Sequence, residues 1–86
     1  MANLIVEHSW RKEDTDKVLK TVGGIVEMAK ASKLPQGFSL KSINALPNEN
    51  RAICNWEAPS KSALEDLLSS VNPPTDHKVY ESVRLL

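Results

Sequence analysis

The sequence predicts an α+β fold, a four-stranded antiparallel sheet with two helices on one of its faces. Three observations carry this expectation. Segments rich in β-branched and aliphatic residues alternate with segments of helical periodicity, in the order strand, helix, strand, strand, helix, strand. The two middle strands are joined by a short polar loop, which is the spacing of a hairpin. The chain has 86 residues, enough for one domain over 1–86 with one modest core.

The first strand is expected over about residues 3–10, where Leu4, Ile5 and Val6 lead into Glu7 and His8. A helix follows in "KEDTDKVLKTVGGIVEMAKASK". Asp14 or Thr15 can cap it, and nearby acids suit the positive end of the helix dipole. Val18, Val22, Ile25, Val26 and Ala29 recur at helical spacing. Gly23 and Gly24 interrupt that helix, each costing about 1 kcal/mol relative to alanine. Either the helix bends there or it packs closely on the sheet, and close packing is the expectation. "LPQG" ends the segment.

"FSLKSINAL" and "RAICNWEA" form the hairpin around "PNEN". "PSKSALEDLLSSV" is the second helix, capped by Ser60 or by Ser62, the latter forming a capping box with Glu65. Leu64, Leu67, Leu68 and Val71 make its buried stripe, and "NPPT" stops it. "HKVYESVRLL" is the last strand. This βαββαβ order most simply folds as a ferredoxin-like sandwich with right-handed crossovers and strand order 4-1-3-2. Strands one and three are then expected as a central parallel pair.

Side chains on a strand alternate between faces. The more apolar set of each strand belongs under the helices: Leu4, Val6, His8 and Trp10; Phe38 and Leu40; Ala52, Cys54 and Trp56; Val79, Val83 and Leu85. The other sets share the open face. There Glu7, Lys41, Asn55, Glu57, Tyr80 and Arg84 are interleaved with Ile5, Ile43 and Ile53, and Glu7 is expected near Glu57.

Three readings of this face stay open. It can be a homodimer interface whose charges pair, Glu7 or Glu57 with Lys41 or Arg84. It can be a pocket for a small-molecule ligand or a metal, and it can be a solvated surface. Two close carboxylates would raise one another's pKa and serve as an acid–base pair or as cation ligands.

His8 falls on the helix side, as a core-edge residue. Strand four begins beside the end of strand one, so His77 is expected to approach His8. Together with Asp76 the two would offer an N,N,O set for a transition metal. Cys54 reads as a small buried hydrophobe, and Trp10 and Trp56 as covers of the core edges.

Several function classes are disfavoured. Lys plus Arg is 11 and Asp plus Glu is 11, so the basic footprint of a nucleic-acid partner or an anionic membrane surface is missing. "NRAICNWE" lacks the basic and aromatic pattern of an RNA-binding strand, and acids on the sheet face would repel phosphate. No apolar run approaches the roughly 20 residues that span a bilayer, and "MANLIVEHSW" has no signal-peptide pattern. One cysteine allows no internal disulfide, and a cytoplasmic location is the expectation. C-x-x-C, Walker A and G-x-G-x-x-G motifs are absent.

"LIVEHSW", "ICNWEAPS" and "NPPTDHKVYESVRLL" together resemble a family of small bacterial and archaeal ferredoxin-like proteins of largely unassigned function, some of which bind nickel. The matching positions are Val6 and Glu7, then Cys54, Trp56, Ala58 and Pro59, then Pro74, Asp76 and Val79, spread over most of the chain. The resemblance implies a dimeric α/β assembly and a metal such as nickel. Some members carry a histidine in strand two, where this chain has Leu40, Lys41 and Ser42. Related folds include small monooxygenases and lactone isomerases, so a cofactor-free enzyme stands beside a binding domain and an interaction module without ligand.

Overall fold

A computed structural model describes residues 2–46 and 48–86. Strands β1 (Ala2–Ser9), β2 (Ser39–Leu46), β3 (Arg51–Ala58) and β4 (Asp76–Glu81) and helices α1 (Thr15–Lys30) and α2 (Lys61–Val71) follow the expected order. The sheet is antiparallel throughout, in the order β2-β3-β1-β4, which read from the other edge is 4-1-3-2.

The expectation of parallel central strands is overturned, since β1 and β3 run antiparallel with Leu4 opposite Trp56 and Val6 opposite Cys54. The connections require it. The hairpin turns β3 against β2, and β3 then lies between two strands, β1 and β2, that both oppose it.

Alternation in β1 and β3 is followed strictly. Leu4, Val6 and His8 are buried, as are Ala52, Cys54, Trp56 and Ala58, whereas Ile5, Glu7, Ile53, Asn55 and Glu57 are half-buried on the other face. Leu64 and Leu68 of α2 complete one apolar cluster with Val79, and Ile25 of α1 and Phe38 pack against it, so both helices cover the same face. Burying such aliphatic side chains contributes about 1.5–3 kcal/mol each.

β2 departs from strict alternation. Leu40 pairs with Trp56 and Ser42 with Asn55, so Lys41 is the extra residue of a β-bulge. The bulge shifts every later side chain by one face. Ile43 therefore opposes Cys54 and packs into the core instead of joining the open face, where Ser42 and Asn44 take its place opposite Asn55 and Ile53.

The ends of elements are set by local bonds. Trp10 lies beyond β1, and its backbone N–H donates to the Asn50 carbonyl (3.2 Å). A 3-10 turn over Lys12–Asp14 leads into α1. Asp14 occupies the cap position without a side-chain bond, and the Thr15 hydroxyl instead donates to the Lys12 carbonyl (2.7 Å). Ser60 caps α2 by accepting from the Ala63 N–H (3.0 Å), so Ser62 lies inside the first turn and the Ser62–Glu65 box is not the cap. Asn72 ends α2 in the left-handed region, φ 50°, with Pro73 behind it. In the turn after α1, Gly37 has φ +89°, a conformation that favours glycine, and a Cβ there would crowd Pro59 Cγ at 3.1 Å. Of the hairpin loop, Pro47 lies outside the described residues, and Glu49 N–H donates to the Leu46 carbonyl (3.0 Å).

Three further expectations are corrected. Gly23 and Gly24 are exposed, α1 runs through them, and a Cβ at either meets nothing within 4 Å, so they are not close-packing positions. Val71 is exposed rather than part of the buried stripe. β4 stops at Glu81, leaving Val83 and Leu85 82% and 93% exposed instead of under the helices. Glu81 pairs with Leu4, and one more bond, Ser82 N–H to the Asn3 carbonyl (3.0 Å), closes the ladder.

Candidate functional site

The open face is built from the odd-numbered residues of β1 and β3. Its centre is apolar, with Ile5 opposite Asn55 and Tyr80, and Ile53 opposite Glu7. At one end the face deepens into a cleft lined by Asn3, Ile5, Lys41, Asn55, Glu57 and Arg84, with Ser82 and Val83 at its border. Four of the six expected ligand residues, Lys41, Asn55, Glu57 and Arg84, thus meet in one place.

Lys41 Nζ lies 3.4 Å from Glu57 Oε1, with side chains 53% and 35% exposed. An ion pair so open to water contributes at most about 1 kcal/mol to stability. Ser42, brought to this face by the bulge, accepts from Asn55 Nδ2 (2.8 Å) and orients that amide. Arg84 Nε donates to the Leu86 carbonyl, which folds the guanidinium back beside the cleft. Two cations against one carboxylate leave the cleft with a surplus of positive charge.

Glu7 and Tyr80 are not part of it. Glu7 sits between Ile53 and Lys78, whereas Glu57 is opposite Asn3, four cross-strand pairs away. Four residues along a strand at about 3.4 Å each set the two backbone positions about 14 Å apart along the sheet. The expected close pair does not form, because an antiparallel β3 carries a residue near its end to the start of β1. Tyr80 pairs with Ile5 by register and lines a separate hollow at the β4 edge with Lys61 and Glu65 of α2.

The histidine pair is found where the topology puts it. His8 and His77 are cross-strand partners with ring centroids 6.0 Å apart. His8 is 9% exposed, and its Nδ1 shares a 2.9 Å hydrogen bond with Thr75 Oγ1. Burial, and after it the neighbouring His77, push the His8 pKa down to about 4. Asp76 pairs with Ser9 and therefore points to the other face, so the expected N,N,O set is not assembled. Among the described residues no group of three or more His, Cys, Asp or Glu is placed to hold a metal ion.

The helix-covered side holds an apolar cavity of about 30 Å³ between α1 and the sheet, lined by His8, Cys54 and Trp56 among others. Burial pushes the Cys54 thiol up to about 11. Sequence reasoning missed this cavity, the Ser42–Asn55 bond and the Thr75–His8 bond. Asn3 was within reach of it, because it shares odd numbering with Glu7; Ser42 was not, because nothing in "LKSI" announces a bulge.

Comparison with family models, with characterised proteins and with solved structures finds no match for this chain.

Proposed function

We propose that this chain is a ferredoxin-like binding domain, cytoplasmic and homodimeric through its open sheet face, and that the cleft of Lys41, Asn55, Glu57 and Arg84 holds a small ligand bearing a carboxylate. The convergence of these four side chains, from β2, β3 and the segment after β4, is the observation that carries the reading. Lys41 and Arg84 supply the charge, the Asn55 amide a directional hydrogen bond, and Glu57 a partner for a hydroxyl or amine elsewhere on the ligand. Half-buried Ile5 and Ile53, flanked by exposed Tyr80 and Val83, supply the apolar surface that a second copy covers. A facing copy turns an open cleft into an enclosed one, where the same charges act in a lower dielectric. The resemblance to small ferredoxin-like proteins of dimeric habit agrees with this reading.

An enzyme using Glu7 and Glu57 as its acid–base pair would need them close together, and they are not. An interaction module remains the second reading, favoured by the pairing that already satisfies Lys41 and Asn55.

Titration of isotopically labelled protein with benzoate and with citrate, followed by backbone and side-chain amide NMR, tests the site. Saturable shifts at Lys41, Asn55 and Arg84, lost in Lys41→Ala plus Arg84→Ala, are expected. No saturable shift with either acid would leave the interaction module as the better account.

A further inference from the structure

α1 covers the sheet thinly. Of its 16 residues only Val18 is fully buried. Val22 and Ile25 face the cavity across from Cys54 and Trp56, and no Asp, Glu, Lys or Arg lines it. The lining is almost wholly apolar, which excludes a charged ligand on desolvation grounds. One polar group is left over. Trp56 is 4% exposed, and its indole N–H is buried and meets no acceptor. Trp10, the other tryptophan of the lining, is satisfied, since its Nε1 donates to Thr15 Oγ1 (3.2 Å).

A buried donor without a partner costs stability that a hydrophobe of the same shape would not. A surface groove along α1 and β2, lined by Val26, Ala29, Lys30 and Ser42, shares Leu40 and Ile43 with the cavity and gives a way in.

We propose that this cavity, which shares Trp56 with the lining of the open-face cleft but lies on the helix side of the sheet, is a second binding site for a small uncharged apolar molecule with one hydrogen-bond acceptor, such as a short or cyclic ketone, which the Trp56 indole N–H receives. α1 moves outward to admit it, because the cavity as it stands is of the order of one or two water molecules. The chemistry is recognition only. The Cys54 thiol beside the site is held protonated by its burial.

The test uses cyclopentanone as the probe and the indole N–H resonances as the readout. In the wild-type chain the Trp56 indole signal is expected to move downfield and saturate, while that of Trp10 stays in place. Trp56→Phe is expected to weaken binding about tenfold, the worth of one hydrogen bond of about 1.4 kcal/mol. Lys41→Ala should leave the affinity unchanged, which keeps this result independent of the open-face cleft. Xenon, which has no acceptor, serves as a second probe on the wild-type chain, expected to shift the methyl groups of Val22 and Ile25 and not the indole signal. Absence of a saturable shift with both probes would overturn the site. Equal affinity of wild type and Trp56→Phe for the ketone would overturn the role of the indole.

Discussion

His8 makes stability depend on pH between its folded and its unfolded pKa. Its folded pKa, lowered from 6.5 to about 4 by burial and then by His77, means that the unfolded chain binds a proton that the folded chain refuses. Stability is therefore full above pH 6.5 and is lost as pH falls toward 4. At about 1.4 kcal/mol per pH unit the gap amounts to about 3 kcal/mol, or about 2 kcal/mol once solvent around the ring edge is allowed for. A domain of 86 residues has roughly 4–13 kcal/mol in all, so the effect is a large fraction. Urea denaturation followed by tryptophan fluorescence, at intervals from pH 7 to pH 4, measures it. His8→Gln keeps a hydrogen-bonding side chain for Thr75 but cannot titrate. Between pH 7 and pH 4 the wild type should lose about 2–3 kcal/mol more than the variant, with no difference in slope above pH 7. Carboxylate titration affects both chains alike and cancels. Parallel stability curves for the two proteins would refute the reasoning, because they would mean that His8 takes up its proton in the folded state as easily as in the unfolded one.

Replacing Gly23 and Gly24 together by alanine should stabilise the fold by about 1–2 kcal/mol, because both positions are helical with no neighbour in the way; thermal unfolding should show a rise of roughly 4–16 °C, and a fall would mean that α1 needs to bend there. Cys54 should resist iodoacetamide in the folded protein at pH 8 and react fully in urea, since its thiol is buried with a pKa of about 11; rapid labelling under native conditions, followed by mass spectrometry, would show that the core opens. Leu64→Ala, which empties a fully buried position of α2, should cost about 2–5 kcal/mol in denaturant unfolding, and a cost below 1 kcal/mol would show that α2 is only loosely docked.

Much of this architecture was legible in residue order alone. The alternation in "LIVEHS" and "RAICNWEA" placed the core and open faces correctly because both strands are regular and half-covered. The meeting of His8 and His77 followed from strand order. The direction of β3 is a property of the connections rather than of any residue in "RAICNWEA", and misjudging it brought Glu7 and Glu57 together when about 14 Å along the sheet separates their backbone positions. The bulge was hidden for a different reason. Lys41 and Ser42 are both polar, so neither one reports which face it takes, and the apolar Leu40 and Ile43 fit the core only when one residue between them is left out of the pairing. The Ser42–Asn55 bond depends on that bulge, so the residues of the cleft could be named in part but not the hydrogen bond that orients Asn55. Gly23 and Gly24 carry no side chain whose burial could be inferred, and only the space around them distinguishes close packing from exposure.

The open sheet face as the working surface of a homodimer is the central claim, and Ile53 lies at the middle of that face, between Glu7 and Asn44. Native mass spectrometry on the untagged chain, beside Ile53→Lys, addresses it most directly. A wild-type species of twice the chain mass is expected, and a variant that is folded and monomeric, since the contact would have to take both the new lysine and the Glu7 opposite it out of water. A wild-type monomer at micromolar concentration, or a dimer that survives the substitution, would contradict it.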